Sequence, residues 1–179
     1  MGLLRKLASI GVLLSASANL AAQGPTASRL TLPVSLELKD IEIVLVRETG
    51  GGCIGRCVHY RVTIRGDGAV TYEDLAQPPV LPRAHAVPVD DVVALMNEFV
   101  EARFFEIPDR YVGKSFYTRQ DERLLLRGTA AADGPSWDLS IRLGGLVKAV
   151  HLYLDYPEYL GNLRERVDRI GGPQAWPAK

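Results

Sequence analysis

The chain has 179 residues, with 21 basic and 21 acidic side chains, 47% hydrophobic residues and two cysteines. That length fits a single domain, because a chain of this size buries roughly two-thirds of its unfolded surface. The even charge balance argues against a nucleic-acid partner, which needs a concentrated basic face.

Residues 1–22 have the layout of a secretory signal peptide. Arg5 and Lys6 precede an apolar run over 7–14, and the small residues Ala16, Ser17, Ala18, Ala21 and Ala22 follow, with cleavage expected after Ala18 or Ala22. Ser15, Ser17 and Asn19 interrupt the run, so no stable membrane span is expected after cleavage. Losing Arg5 and Lys6 leaves 19 basic against 21 acidic residues, a net charge of −2. The expected localisation is periplasmic or secreted, where a cysteine pair is expected to be bonded.

Residues 23–39 read as a flexible lead-in to a domain over 40–171, with a tail at 172–179. Leu36 and Leu38, then Ile41, Ile43 and Leu45, give an alternation that weakens into an apolar run at Val44 and Val46, as a central strand would. It stops at Glu48-Thr49. After a loop holding both cysteines, Val58, Tyr60, Val62 and Ile64 alternate with His59, Arg61, Thr63 and Arg65. Gly66-Asp67-Gly68 then turns the chain, pairing Ile64 with Val70 and Val62 with Tyr72, with Gly68 in the left-handed position.

Pro78, Pro79, Pro82 and Pro88 mark 74–88 as a loop, with room for a short edge strand at 84–87. A helix is predicted over 88–103, started by Pro88 and favoured by Asp90 and Asp91 at the positive end of its dipole. Val89, Val92, Val93, Met96, Phe99 and Val100 form its apolar stripe, and Phe104, Phe105 and Ile107 extend it. Residues 108–120 read as a polar loop. Its Gly113-Lys114-Ser115 imitates the end of a phosphate-binding loop, but Pro108 stands where the first glycine belongs and no helix follows.

A short strand is predicted at 124–126. Trp137, Leu139, Ile141 and Leu143 then alternate with polar residues, and Gly144-Gly145 turns into a partner strand over 146–152. This register places Leu139 opposite Val150, Trp137 opposite Leu152, and Asp138 opposite His151, a local stabilising pair. A second helix is predicted over 157–170, with Leu160, Leu163, Val167 and Ile170 on one side and Arg164, Glu165, Arg166, Asp168 and Arg169 on the others. The predicted fold is α+β: one domain with a mostly antiparallel sheet of about five or six strands and two helices packed on it.

The candidate site is the loop over 50–57, with Cys53 and Cys57 as its centre and Gly52, Gly55, Arg56 and His59 around them. Its Gly50-x-Gly52-x-x-Gly55 pattern resembles a dinucleotide fingerprint as text, but a strand follows where the pyrophosphate would need a helix N-terminus. In an extended strand the two cysteine α-carbons would lie about 13 Å apart, against the roughly 4.4–6.8 Å that a disulfide needs. A bond therefore requires a sharp bend, which Gly52 and Gly55 permit. The leading reading is a structural disulfide. Two alternatives stay open. One is a redox-active pair assisted by Arg56 and His59. The other is a copper(I) or zinc site on Cys53, Cys57 and His59, completed by His85 or His151.

Cys53-x-Gly55-x-Cys57-x-x-Tyr60-x-Val62-x-Ile64-x-Gly66-Asp67-Gly68-x-Val70-x-Tyr72, followed by Phe104-Phe105, Asp109-x-Tyr111 and Asp121, resembles the bacterial exported family catalogued as domain of unknown function 6438. The family pattern has proline after the second cysteine, where this chain has Val58. The resemblance implies a fold and no mechanism. No Gly-x-Ser-x-Gly or His-Glu-x-x-His motif is present, so no catalytic residue is assigned and no cofactor is expected. The function expected is a non-enzymatic binding module that presents the loop to a protein or small-molecule partner; the alternative is a thiol-redox or copper/zinc-handling protein.

Overall fold

The computed structural model describes residues 31–50, 53, 57–113, 115–128 and 134–176. The expected signal peptide, and Gly52, Gly55 and Arg56 of the loop, lie outside the described residues.

The hydrophobic alternation read along the chain becomes a sheet with one dry face. Its middle strand is β1 (Ile41–Thr49), flanked by β2 (His59–Arg65) on one side and β8 (Pro135–Leu143) on the other, both antiparallel. Outward from β2 come β3 (Ala69–Asp74) and β4 (Arg83–Ala86); outward from β8 come β9 (Leu146–Leu154) and β5 (Arg110–Val112). Among the described residues only the β5–β9 pair is parallel. A separate hairpin joins β6 (Ser115–Gln120) to β7 (Arg123–Gly128).

The α+β class therefore holds, with seven strands in the main sheet among the described residues rather than five or six. The unforeseen strand of the main sheet is β5, within 108–120, which was read as a polar loop; β6, from the same stretch, pairs with β7 apart from that sheet. A three-residue strand such as β5 is too short to show a period, and it forms because β9 offers a free backbone edge. At the N-terminal side, β1 begins at Ile41, since Leu38–Asp40 form a 3₁₀ turn. Leu32 and Leu36, within the expected lead-in, pack against the core.

Both predicted hairpins keep their registers. Val62 pairs with Tyr72 and Ile64 with Val70, with Gly68 at φ +87° in the turn. Leu139 pairs with Val150, Trp137 with Leu152 and Asp138 with His151.

Helices α1 (Val89–Glu101) and α2 (Glu158–Gly171) cover the apolar face. The first leaves the β4 edge and leads to the β5 edge, so the chain crosses the width of the sheet between them. Its buried stripe is Val92, Leu95 and Phe99, whose three- and four-residue steps keep one face inward, while the predicted Val100 turns to solvent. Helix α2 buries Leu160, Leu163 and Val167, and Gly171 lets it approach closely, since a Cβ there would lie 2.4 Å from Val62. Each fully buried Leu or Ile contributes about 1.5–3 kcal/mol relative to exposure. The opposite face of the sheet is polar, with Arg61–Glu73 at 3.2 Å, Arg142–Glu42 at 3.4 Å and His151 Nδ1–Asp138 at 2.7 Å.

Candidate functional site

The connection from β1 to β2 is closed at its base by backbone and side chain together. Thr49 donates its N–H to the Val58 carbonyl at 3.0 Å, and Val58 returns its N–H to the Thr49 hydroxyl at 3.0 Å. Cys53 donates its N–H to the Gly50 carbonyl at 3.2 Å, starting the bend. Cys53 and Cys57 are joined as a disulfide with α-carbons 5.7 Å apart, within the range such a bond requires. The bond ties down a short excursion hung from the Thr49–Val58 clasp.

The histidines proposed as partners for the sulfurs have other surroundings. His59 starts β2 in the phase opposite to buried Tyr60, so its side chain belongs to the polar face. His85 lies edge-on to Trp176 at 4.6 Å, and His151 is held by Asp138. Among the described residues, no group of three or more His, Cys, Asp or Glu side chains could hold a metal ion.

Beneath the loop, on the helix-covered face, the sheet changes character. Arg47 follows Ile41, Ile43 and Leu45 in the same inward phase of β1. Its cross-strand neighbours are Tyr60 on β2 and Trp137 on β8, so a cation sits between two aromatic residues. The Arg47 guanidinium carbon is 5.7 Å from the Trp137 ring centre and 6.0 Å from that of Tyr60. Arg164, from α2, lies over the same Trp137 ring at 4.5 Å. Such contacts are attractive because the ring face is electron-rich.

Asp168 completes the cluster. It lies one helical turn after Arg164, only 9% exposed, and accepts a 2.5 Å hydrogen bond from the Tyr60 hydroxyl. Burial, then the hydrogen bond and negative charge of Asp168, push the Tyr60 hydroxyl well above its ordinary range; Arg47 opposes the shift. The tail is fastened alongside: Trp176 donates its indole N–H to the Gly171 carbonyl at 3.1 Å and its ring meets Tyr72 at 6.2 Å.

The polar accounting of the cluster is unequal. Asp168 is bonded to Tyr60, and Arg164 is paired with Glu165 at 2.9 Å. The Nε atoms of Arg47 and Arg164 and the indole Nε1 of Trp137 are buried without an acceptor among the described residues. A buried donor without a partner costs about 1–3 kcal/mol.

The sequence reading placed Arg164 and Asp168 away from the buried side of the last helix and singled out neither Arg47 nor Trp137 as a site residue. The structure corrects the first point: Asp168 is buried, and only 14% of the Arg164 side chain is exposed. One signal was available in the chain. Arg47 occupies an inward phase that three apolar residues had established.

A family model described as a domain of unknown function (DUF6438) matches residues 45–171, most of the chain. No curated protein matches it. The chain belongs to the DUF6438 family.

Proposed function

We propose that this member of the DUF6438 family is an exported, non-enzymatic binding module. Its recognition surface is the end of the sheet where the disulfide loop stands beside Arg47, Trp137 and Arg164. Export is supported by the cationic start, apolar run and small residues of 1–22. The observation that carries the reading is the set of donors on Arg47, Arg164 and Trp137 without an acceptor among the described residues. Arginine and tryptophan dominate the energetics of binding surfaces because they combine flat apolar area with directional donors.

The local charges set the kind of group received. Two guanidiniums are offset by Asp168 and Glu165, so a monoanionic carboxylate suits the site better than a doubly charged phosphate. A carboxylate also matches the flat donor edge of a guanidinium. The Nε atoms are closed to solvent, so the carboxylate enters as the side chains part. The disulfide limits how far the neighbouring loop can move while they do so. With both sulfurs bonded, neither is a thiolate available to a metal.

The chain contains two tryptophans, so Trp176→Phe leaves Trp137 as the sole indole. In that background, sodium acetate is titrated against sodium chloride at matched ionic strength while the indole N–H resonance of Trp137 is followed. A saturable shift with acetate alone, lost in Arg47→Met, is expected. Equal responses to acetate and chloride, or an unchanged acetate response in Arg47→Met, would refute carboxylate recognition. Mass spectrometry of the exported chain tests export itself, which predicts an N-terminus at residue 19 or 23.

A further inference from the structure

A second site lies away from the loop, where the C-terminal end of α1 and the start of α2 leave an open cavity of about 700 Å³. That volume is within the roughly 300–1,000 Å³ typical of small-molecule sites. Its floor is apolar: Leu163 is buried, and Ala102 and Ile107 are partly buried. Its wall is the ring of Tyr159, 39% exposed although it stands in the first turn of a helix.

The rim is acidic. Glu98, Glu101 and Glu106 line the cavity against a single lining cation, Arg103. Arg103 is engaged by Glu106, and Arg166 approaches Glu98 at 3.7 Å. Among the described residues Glu101 has no ion-pair partner, which leaves an exposed carboxylate at the mouth of an apolar cavity. Burial, then the neighbouring Tyr159, raises the Tyr111 hydroxyl of β5 above its ordinary range.

We infer that this cavity binds a small organic ammonium ion with an apolar body. The apolar part would rest on Leu163, Ile107 and Ala102, while the ammonium group meets Glu101 and the face of Tyr159. Charge complementarity selects the cation, since the lining carries three carboxylates and one guanidinium. The face of a tyrosine ring attracts an ammonium and repels an anion. This site is separate from the carboxylate surface beside the disulfide loop and does not depend on it.

The test uses phenethylamine, the uncharged phenethyl alcohol and the anionic phenylacetate. They share an aromatic body and differ in charge. Binding is read by calorimetry and by the side-chain amide resonance of Asn162, which also lines the cavity. Saturable binding is expected for the amine, with the alcohol weaker and phenylacetate weakest. Glu101→Gln should weaken the amine about two- to fivefold, the size of one exposed charge pair, and leave the alcohol unchanged. Glu101 is exposed, so the variant should retain its folding transition, checked by circular dichroism. The inference is overturned by any of three results: no saturation by the amine up to about 10 mM, equal binding of all three probes, or an amine affinity unaltered in Glu101→Gln.

Discussion

Three successive register rows on the covered face of the sheet use the same strands and end differently. The first row reads Ile64, Ile43 and Ile141, and the next Val62, Leu45 and Leu139. The third, under the disulfide loop, reads Tyr60, Arg47 and Trp137. The first two rows are dry and satisfied by packing alone. The third carries a guanidinium, a hydroxyl and an indole, and its hydrogen bonding is incomplete among the described residues. Burial in one place yields stability; in the other it orients polar groups and leaves some of them unmatched.

The contrast can be broken most forcefully in the middle. Leu45 is fully buried, and Leu45→Ala should lower unfolding stability by about 2–5 kcal/mol in urea titration, through lost burial and a residual cavity. A loss near zero would mean that the apolar rows are not the main source of stability.

Tyr60→Phe tests the third row without opening a cavity. It removes the hydroxyl that Asp168 accepts and should cost about 1–3 kcal/mol by leaving a buried carboxylate oxygen unmatched. The same residue predicts a pH effect. Its folded-state pKa is raised by burial and by Asp168, so above the ordinary tyrosine value of about 10 the unfolded chain releases this proton first. The contribution of Tyr60 is fully present below that pH and falls as pH rises through the folded-state value. Alkaline denaturation should therefore be less steep in Tyr60→Phe; equal slopes would mean that the hydroxyl is not held protonated.

Replacing both cysteines by serine should lower stability by at most about 2 kcal/mol, because the bond closes a short loop and removes little unfolded-state entropy. The larger consequence expected is a weaker acetate response at Trp137, since the loop beside it is no longer tied. Arg47→Met should have the smallest effect on folding, within about 1 kcal/mol, as an apolar side chain of similar length can fill the site. If Arg47→Met instead destabilises as much as Leu45→Ala, the third row is structural like its neighbours and the contrast disappears.

The parts of the fold that rest on local pattern were legible in the sequence. Period-two alternation on both sides of Gly66-Asp67-Gly68 and Gly144-Gly145 specified both hairpin registers, because shifting a strand by one residue would turn every apolar side chain outward. The two cysteines and the glycines around them marked the loop. Strand β5 was not legible, since three residues have no measurable period and its existence depends on an edge presented by β9. Arg164 and Asp168 were misplaced because charged residues on a helix ordinarily face water.

By itself the sequence determined the class of fold, both hairpins, the two helices and the position of the disulfide loop, all set by interactions between residues close along the chain. Tertiary structure alone decided that Arg47, Trp137, Arg164 and Asp168 meet beneath that loop and that α1 and α2 leave a cavity between them. These residues come from distant segments of the chain. Whether they meet depends on which strands are neighbours and which helix turn faces the sheet, and no local period encodes that.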